Sequence, residues 1–139
     1  MSDIFQQFGP PEWYNLPLEQ GVIADPNHAI GGMQYCRIGH IVFLRGGVIG
    51  NFNYGNVHVG TLPVGYRPTY KWETVIGSET PDNEGSPKNS LPTNRYLHVL
   101  PETGQIRLIS SVLHTSPRRQ PEFRAFVGIN VSFVIDNVI

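Results

Sequence analysis

Hydrophobic and polar positions alternate along two stretches of the chain. Ile106, Leu108 and Val112 fall on one parity, and Gln105 and Arg107 on the other. Farther on, Val127, Ile129, Val131, Phe133 and Ile135 share a parity, while Gly128, Asn130 and Ser132 share the opposite one. A period of two belongs to a strand with one buried face and one wet face. Strands are predicted over 13–18, 33–38, 40–45, 57–62, 69–76, 95–100, 105–112 and 123–135. Pro17 confines the first to an edge. No stretch carries the 3.6-residue period of an amphipathic helix. The expected class is all-β, an antiparallel β-sandwich of about eight strands.

Residues 41–44 break the alternation. Ile41, Val42, Phe43 and Leu44 put apolar side chains on both faces of one strand. The outer face then needs a cover, either another subunit or a loop of the same chain. The longest gap between predicted strands is 77–94. Leu91 is its only large apolar residue, and Pro81, Gly85, Pro87 and Pro92 are expected to prevent regular structure. A loop of that length in a compact domain is usually functional or disordered. Residues 1–12 read as a lead-in segment. Ser2 is placed to cap one helical turn over 3–8, closed by Gly9 and Pro10, with Phe5 and Phe8 as its anchors. Residues 13–139 form the single β-sandwich domain.

Composition supports this division. The 139 residues include 15 Gly and 12 Pro, spread along the chain as turn punctuation. Charged residues make up 15%, against about 25% in an ordinary domain. Ten basic residues face eleven acidic ones, for a net charge of −1. That balance excludes strong binding to a nucleic-acid backbone, which needs a surplus of Lys and Arg. Cys36 is the single cysteine. It closes no disulfide within the chain and reads as a small buried hydrophobe. No apolar run approaches the 18 or so residues of a membrane span, and the N-terminus lacks the apolar core of a signal peptide. The expectation is a soluble protein made in a cytoplasm, with no membrane partner.

Catalytic sets are missing from the sequence. There is no Gly-x-Ser-x-Gly elbow, and Asp25, Glu79, Asp82, Glu84 and Glu102 sit in turns rather than in a recognisable acid pair. The five histidines (His28, His40, His58, His98 and His114) show no His-x-His or His-x₃-His spacing. No enzyme activity, metal or cofactor is expected. Asn130-Val131-Ser132 has the form of a glycosylation acceptor, but it lies mid-strand and reads as chance.

Aromatics mixed with amides are the more useful signal. Sugar rings stack their apolar C–H faces on Trp and Tyr, and their hydroxyls pair with Asn, Asp, Arg and His. Asn51-Phe52-Asn53-Tyr54-Gly55-Asn56-Val57-His58 offers that mixture, and Tyr70-Lys71-Trp72-Glu73 offers another. The candidate saccharide contacts are Asn51, Asn53, Tyr54, His58, Trp72 and Glu73. The competing reading is that Trp72 and Tyr54 cap the end of the sandwich. Arg118 and Arg119 rank second, as partners for a phosphate or as a solvated loop.

Three motifs carry a resemblance. Arg37-Ile38-Gly39-His40-Ile41-Val42-Phe43-Leu44-Arg45-Gly46-Gly47-Val48 is similar to the "K-x-G-N-x-V-x-L-x-G" strand pair of phage tail-tip and baseplate proteins, with His40 where the pattern has Asn. Gly60-Thr61-Leu62-Pro63-Val64-Gly65-Tyr66-Arg67-Pro68 resembles their "G-T-L-P-x-G-Y-R-P" turn. Residues 97–108, with Gly104 at the bend, resemble the next hairpin, and 125–133 resemble the closing strand. Together these span about residues 13–134 and resemble receptor-binding heads of phages of Gram-positive bacteria.

The resemblance implies a homotrimeric β-sandwich head of jelly-roll type at a tail tip or baseplate, within the virion. Its partners would be host cell-wall carbohydrate, such as teichoic acid or wall polysaccharide, and other tail or baseplate proteins. A purely structural trimeric tail module is the alternative, and a wall-saccharide hydrolase a third reading. The Leu-Pro-x-Gly-Tyr-Arg-Pro turn is expected to be a structural staple. Pro63 would set the first corner of a type I turn, with Gly65 following at the fourth position. Tyr66 would bury its ring, Pro68 would hold Arg67 extended, and Arg67 would tie down loop carbonyls or a neighbour's carboxylate.

Overall fold

The computed structural model describes residues 11–50, 56–80, 91–110 and 125–135. Among these residues every regular element is a strand. In chain order they are β1 (Tyr14–Leu16), β2 (Ile23–Ala24), β3 (Gly32–Ile38), β4 (Ile41–Gly50), β5 (Asn56–Thr61), β6 (Trp72–Thr80), β7 (Leu91–Val99), β8 (Gln105–Ser110) and β9 (Ala125–Val134). All ladders between them are antiparallel. Nine strands stand where about eight were expected. The addition is β2, which pairs Ile23 with Ile49 and Ala24 with Val48. Two residues are too few to show a period.

Hydrogen-bonded neighbours run in the order β1-β3-β4-β9-β6-β7-β8-β5, with β2 also on β4. Register pairs join β4 and β9 along their whole length, from Ile41↔Val134 to Gly50↔Ala125. In contrast, among the described residues β9 meets β6 only through Ser78↔Val127 and Glu79↔Phe126. That narrow join divides the path into two antiparallel sheets, one of β1, β2, β3, β4 and β9, the other of β6, β7, β8 and β5. Their inward residues share one core. Leu16, Met33, Val42, Leu44, Val48, Val127, Ile129 and Phe133 come from the first sheet, and Val59, Ile76, Leu97, Val99, Ile106 and Leu108 from the second. Burying such side chains stabilises the fold by about 1.5–3 kcal/mol each before chain entropy is set against it.

The path also returns on itself. Leu18 bridges Gly60, and Glu19 N–H donates to Val59 O at 2.9 Å. A Cβ on Gly60 would stand 2.6 Å from Leu16 Cδ2, so this seam between β1 and β5 needs glycine.

Alternation follows the expected parity in β9, where Val127, Ile129, Phe133 and Ile135 are buried. In β4, Val42 and Leu44 are buried, Phe43 is half-buried and Ile41 remains exposed. A loop of the same chain covers part of the outer face, at Gly47, while Ile41 and its register partner Val134 stay open.

The 77–94 gap is shorter than predicted. Its ends continue β6 and β7 through Gly77↔Asn94, Ser78↔Thr93, Glu79↔Pro92 and Thr80↔Leu91. Pro92 therefore lies in a strand. Its register partner there is Glu79 of β6.

Candidate functional site

The turn within Pro63–Pro68 differs in type from the expected one. Tyr66 N–H donates to Pro63 O at 3.2 Å, which makes Val64 and Gly65 the central pair. Gly65 has φ +97°, the positive value that a type II turn requires at its third position. Pro63 thus precedes the corner instead of forming it. Arg67 donates from Nε to Leu62 O (2.9 Å) and from Nη1 to Glu102 O (3.2 Å). Leu62 N–H donates in turn to Gly104 O at 2.8 Å. Arg37 Nη1 donates to Gly65 O at 2.8 Å. The Tyr66 ring meets Tyr35 edge-on at 4.9 Å and Tyr14 at 6.5 Å. All these contacts join β3, the end of β5 and the β7–β8 turn, so the staple's work is structural.

The predicted contacts His58 and Glu73 share the outer face of the second sheet. Register places Glu73 opposite His98, His98 opposite Arg107, and Arg107 opposite His58. The two are ends of one cross-strand row, three strand spacings or about 14 Å apart. Glu73 Oε2 lies 3.2 Å from His98 Nε2 and 3.8 Å from Lys71 Nζ. Burial lowers the His98 pKa, the Lys71 charge lowers it further, and Glu73 opposes both. The lowered pKa favours the neutral ring of His98 beside the Glu73 carboxylate. His58 Nε2 is 3.0 Å from Thr61 Oγ1 and 3.7 Å from Glu19 Oε1. Arg107 donates to Gln105 Oε1 and to Asn56 Oδ1.

Trp72 points the other way. Consecutive residues of a strand face opposite sides, and the Trp72 ring packs 5.5 Å from that of Phe133. It is half-buried and also walls an open groove of about 440 Å³ lined by Pro68–Trp72 and by Ser132–Val134. Tyr70 stands over this groove with 78% of its surface exposed. Trp72 therefore both caps the core and offers ring surface outside it. It does not join His58 and Glu73.

Asn51, Asn53, Tyr54, Arg118 and Arg119 lie outside the described residues. The strand ends flanking them are described. Gly50 pairs with Ala125, Glu79 with Phe126, Thr80 with Leu91, Arg95 with Ser110, and Ile109 with Asn56. The strand ends bounding 51–55, 81–90 and 111–124 therefore lie at one end of the sandwich.

A second groove, of about 460 Å³, runs along the outer face of the first sheet. Trp13, His28, Phe43, Arg45, Gly128 and Asn130 line it. The Arg45 guanidinium sits 3.6 Å from the centre of the Trp13 ring. His28 reaches this face on the loop between β2 and β3. Gly47 N–H donates to Ile30 O and Asp25 N–H to Gly47 O, which lays the loop across the sheet. His28 Nδ1 lies 3.1 Å from Ile30 N and 3.0 Å from Ile30 O, which holds the ring against the loop backbone. Gly32, Gly47 and Gly128 form one cross-strand row, and its lack of side chains makes the trough that takes the imidazole. The sequence did not assign this groove. Its signal is Gly46-Gly47 and Gly128 in mid-strand, where glycine marks a close approach.

Cys36 is buried among these residues. Burial raises its thiol pKa and the Arg45 charge partly opposes that. Among the described residues no cluster of His, Cys, Asp or Glu is arranged to hold a metal. Comparison with protein-family models, with curated proteins and with solved structures returns no match.

Proposed function

We propose that this chain is a saccharide-binding β-sandwich head of a phage tail fibre or baseplate, which holds host cell-wall polysaccharide or teichoic acid without catalysing a reaction. The observation that carries the reading is the Tyr70–Trp72 groove. It combines an exposed phenol ring, a half-buried indole and the Ser132 strand edge in one open cleft. Rings of this kind stack on sugar C–H faces. Jelly-roll winding belongs to the same reading. The long-range neighbours β4–β9, β9–β6 and β8–β5 support it. So does a homotrimer, in which the exposed pair Ile41 and Val134 would meet a neighbouring copy. Three weak sites on one trimer, repeated around a virion, would give firm attachment through effective concentration.

Titration calorimetry against solubilised wall polymer of Gram-positive hosts tests this. Binding by the wild type and its loss in Tyr70→Ala, at unchanged melting temperature, are the expected results. Tyr70 is the residue to change, because Trp72 also packs on the core. A folded protein that binds no wall preparation would leave the purely structural tail module as the function.

A further inference from the structure

We propose that the Trp13–Arg45 groove is a separate binding site for an anionic group, a carboxylate or phosphate carried on a sugar or polyol. Register sets Asn15, Gln34, Arg45 and Asn130 side by side across β1, β3, β4 and β9. The row is three neutral amides around one cation. Gln34 Nε2 donates to Asn15 Oδ1 at 3.1 Å, and Gln34 Oε1 accepts from Arg45 Nε at 3.0 Å. With the Trp13 ring against it, the guanidinium is fixed before any ligand arrives. Preorganised donors of this sort bind without the ordering cost of a loose side chain.

Charge decides the ligand class. Among the described residues no carboxylate lines the groove. Among the described residues no salt bridge involves Arg45. The acids nearest in sequence to Trp13 and His28 are engaged elsewhere. Asp25 Oδ1 accepts from Asn27 N–H at 2.9 Å, and the Glu12 carboxylate raises the pKa of the Tyr14 hydroxyl. A half-buried guanidinium in a concave, partly apolar cleft, with no carboxylate paired to it among the described residues, favours an anion with two acceptor oxygens. The Asn130 amide supplies a neutral donor, and the His28 ring lines the cleft beside it. Phe43 and Trp13 give it apolar wall, which suits a charged group on a carbon skeleton over a bare inorganic ion. The site is independent of the Tyr70–Trp72 groove, so either can fail without the other.

The test is a ¹H–¹⁵N titration of the full chain with sodium D-glucuronate, with glycerol 1-phosphate, with neutral D-glucose, and with sodium chloride at matched ionic strength. The expected result is saturable shifts at Gly46, Gly128, Asn130 and the Trp13 indole with one or both organic anions, and none with glucose or chloride. The two anion arms separate carboxylate from phosphate. Arg45→Met is expected to weaken the response at least about tenfold, the scale of a lost charged hydrogen bond. Asn130→Asp, at an exposed position, places a carboxylate beside Arg45 and is expected to abolish the response even if Arg45→Met fails to fold. Absence of shifts with both anions would overturn the site, as would a response unchanged in a folded Arg45→Met or in Asn130→Asp.

Discussion

His28 occupies the space that a side chain on Gly47 would need. A Cβ at position 47 would stand 2.4 Å from His28 Cγ and 2.7 Å from its Cδ2. The imidazole is held there by Ile30, whose carbonyl in turn takes the Gly47 N–H. Gly47→Ala must therefore displace the loop from the sheet, at an expected cost of about 1–3 kcal/mol. Gly128→Ala is the control, since its Cβ would meet His28 Nε2 at an ordinary 3.6 Å. That variant should stay within about 1 kcal/mol of the wild type. Urea denaturation of both reads the difference, and equal midpoints would contradict it.

The staple at Gly104 is tighter still. Gly104 has φ +76°, and a Cβ there would lie 2.3 Å from Leu62 O and 2.5 Å from Arg67 Nε. Gly104→Ala is expected to cost about 2 kcal/mol or more, since backbone strain and a clash with main chain combine. Arg67→Ala removes two bonds to carbonyls and should cost about 1–3 kcal/mol. Both act on the Leu62 carbonyl, so the double variant should lose less than the sum. Strict additivity in chemical denaturation would show that the two do not share a mechanism.

Stability should fall in mild acid through His98. Its folded pKa lies below the ordinary 6.5 because of burial first and Lys71 second. The folded protein then binds fewer protons than the unfolded chain, so stability rises with pH across that range. The contribution is complete above about pH 6.5 and is lost as the pH drops through 6.5 towards the lower folded value. His98→Gln should flatten this part of the curve. Melting temperatures at pH 7.5, 6.0 and 5.0 measure it, and a steeper acid loss in the variant would reverse the assignment.

Assembly is read out at Val134, which is 61% exposed beside Ile41. Sedimentation velocity should find the wild type as a trimer and Val134→Lys as a folded monomer, because a charge at the centre of an apolar contact is costly to desolvate. A wild type that sediments as a monomer at high micromolar concentration would remove the threefold assembly from the proposed function.

Much of the fold was legible in the residues, and the misses have physical causes. Parity alone placed Val127, Ile129 and Phe133 inside and Asn130 and Ser132 outside, because β9 is long and has one wet face. The same parity separates Trp72 from Glu73, so the run from Tyr70 to Glu73 was never one cluster in space. Pro92 reads locally as a strand breaker, while its pairing with Glu79 is a tertiary fact. Gly65 was placed a step late because a Pro at the first corner reads as type I until the positive φ is known. The Trp13–Arg45 groove joins β1, β4, β9 and a loop, and no local pattern states such a meeting. Only the unexplained glycines at 46, 47 and 128 hinted at it.

The seam at Leu18 and Gly60 bears on behaviour at high density. An open sheet offers its rim to strands of other molecules, which is how fibrous stacks begin. Here the outermost strands β1 and β5 lean on each other, so that invitation is largely withdrawn. Copies crowded together then have less free backbone to pair through at β1 and β5.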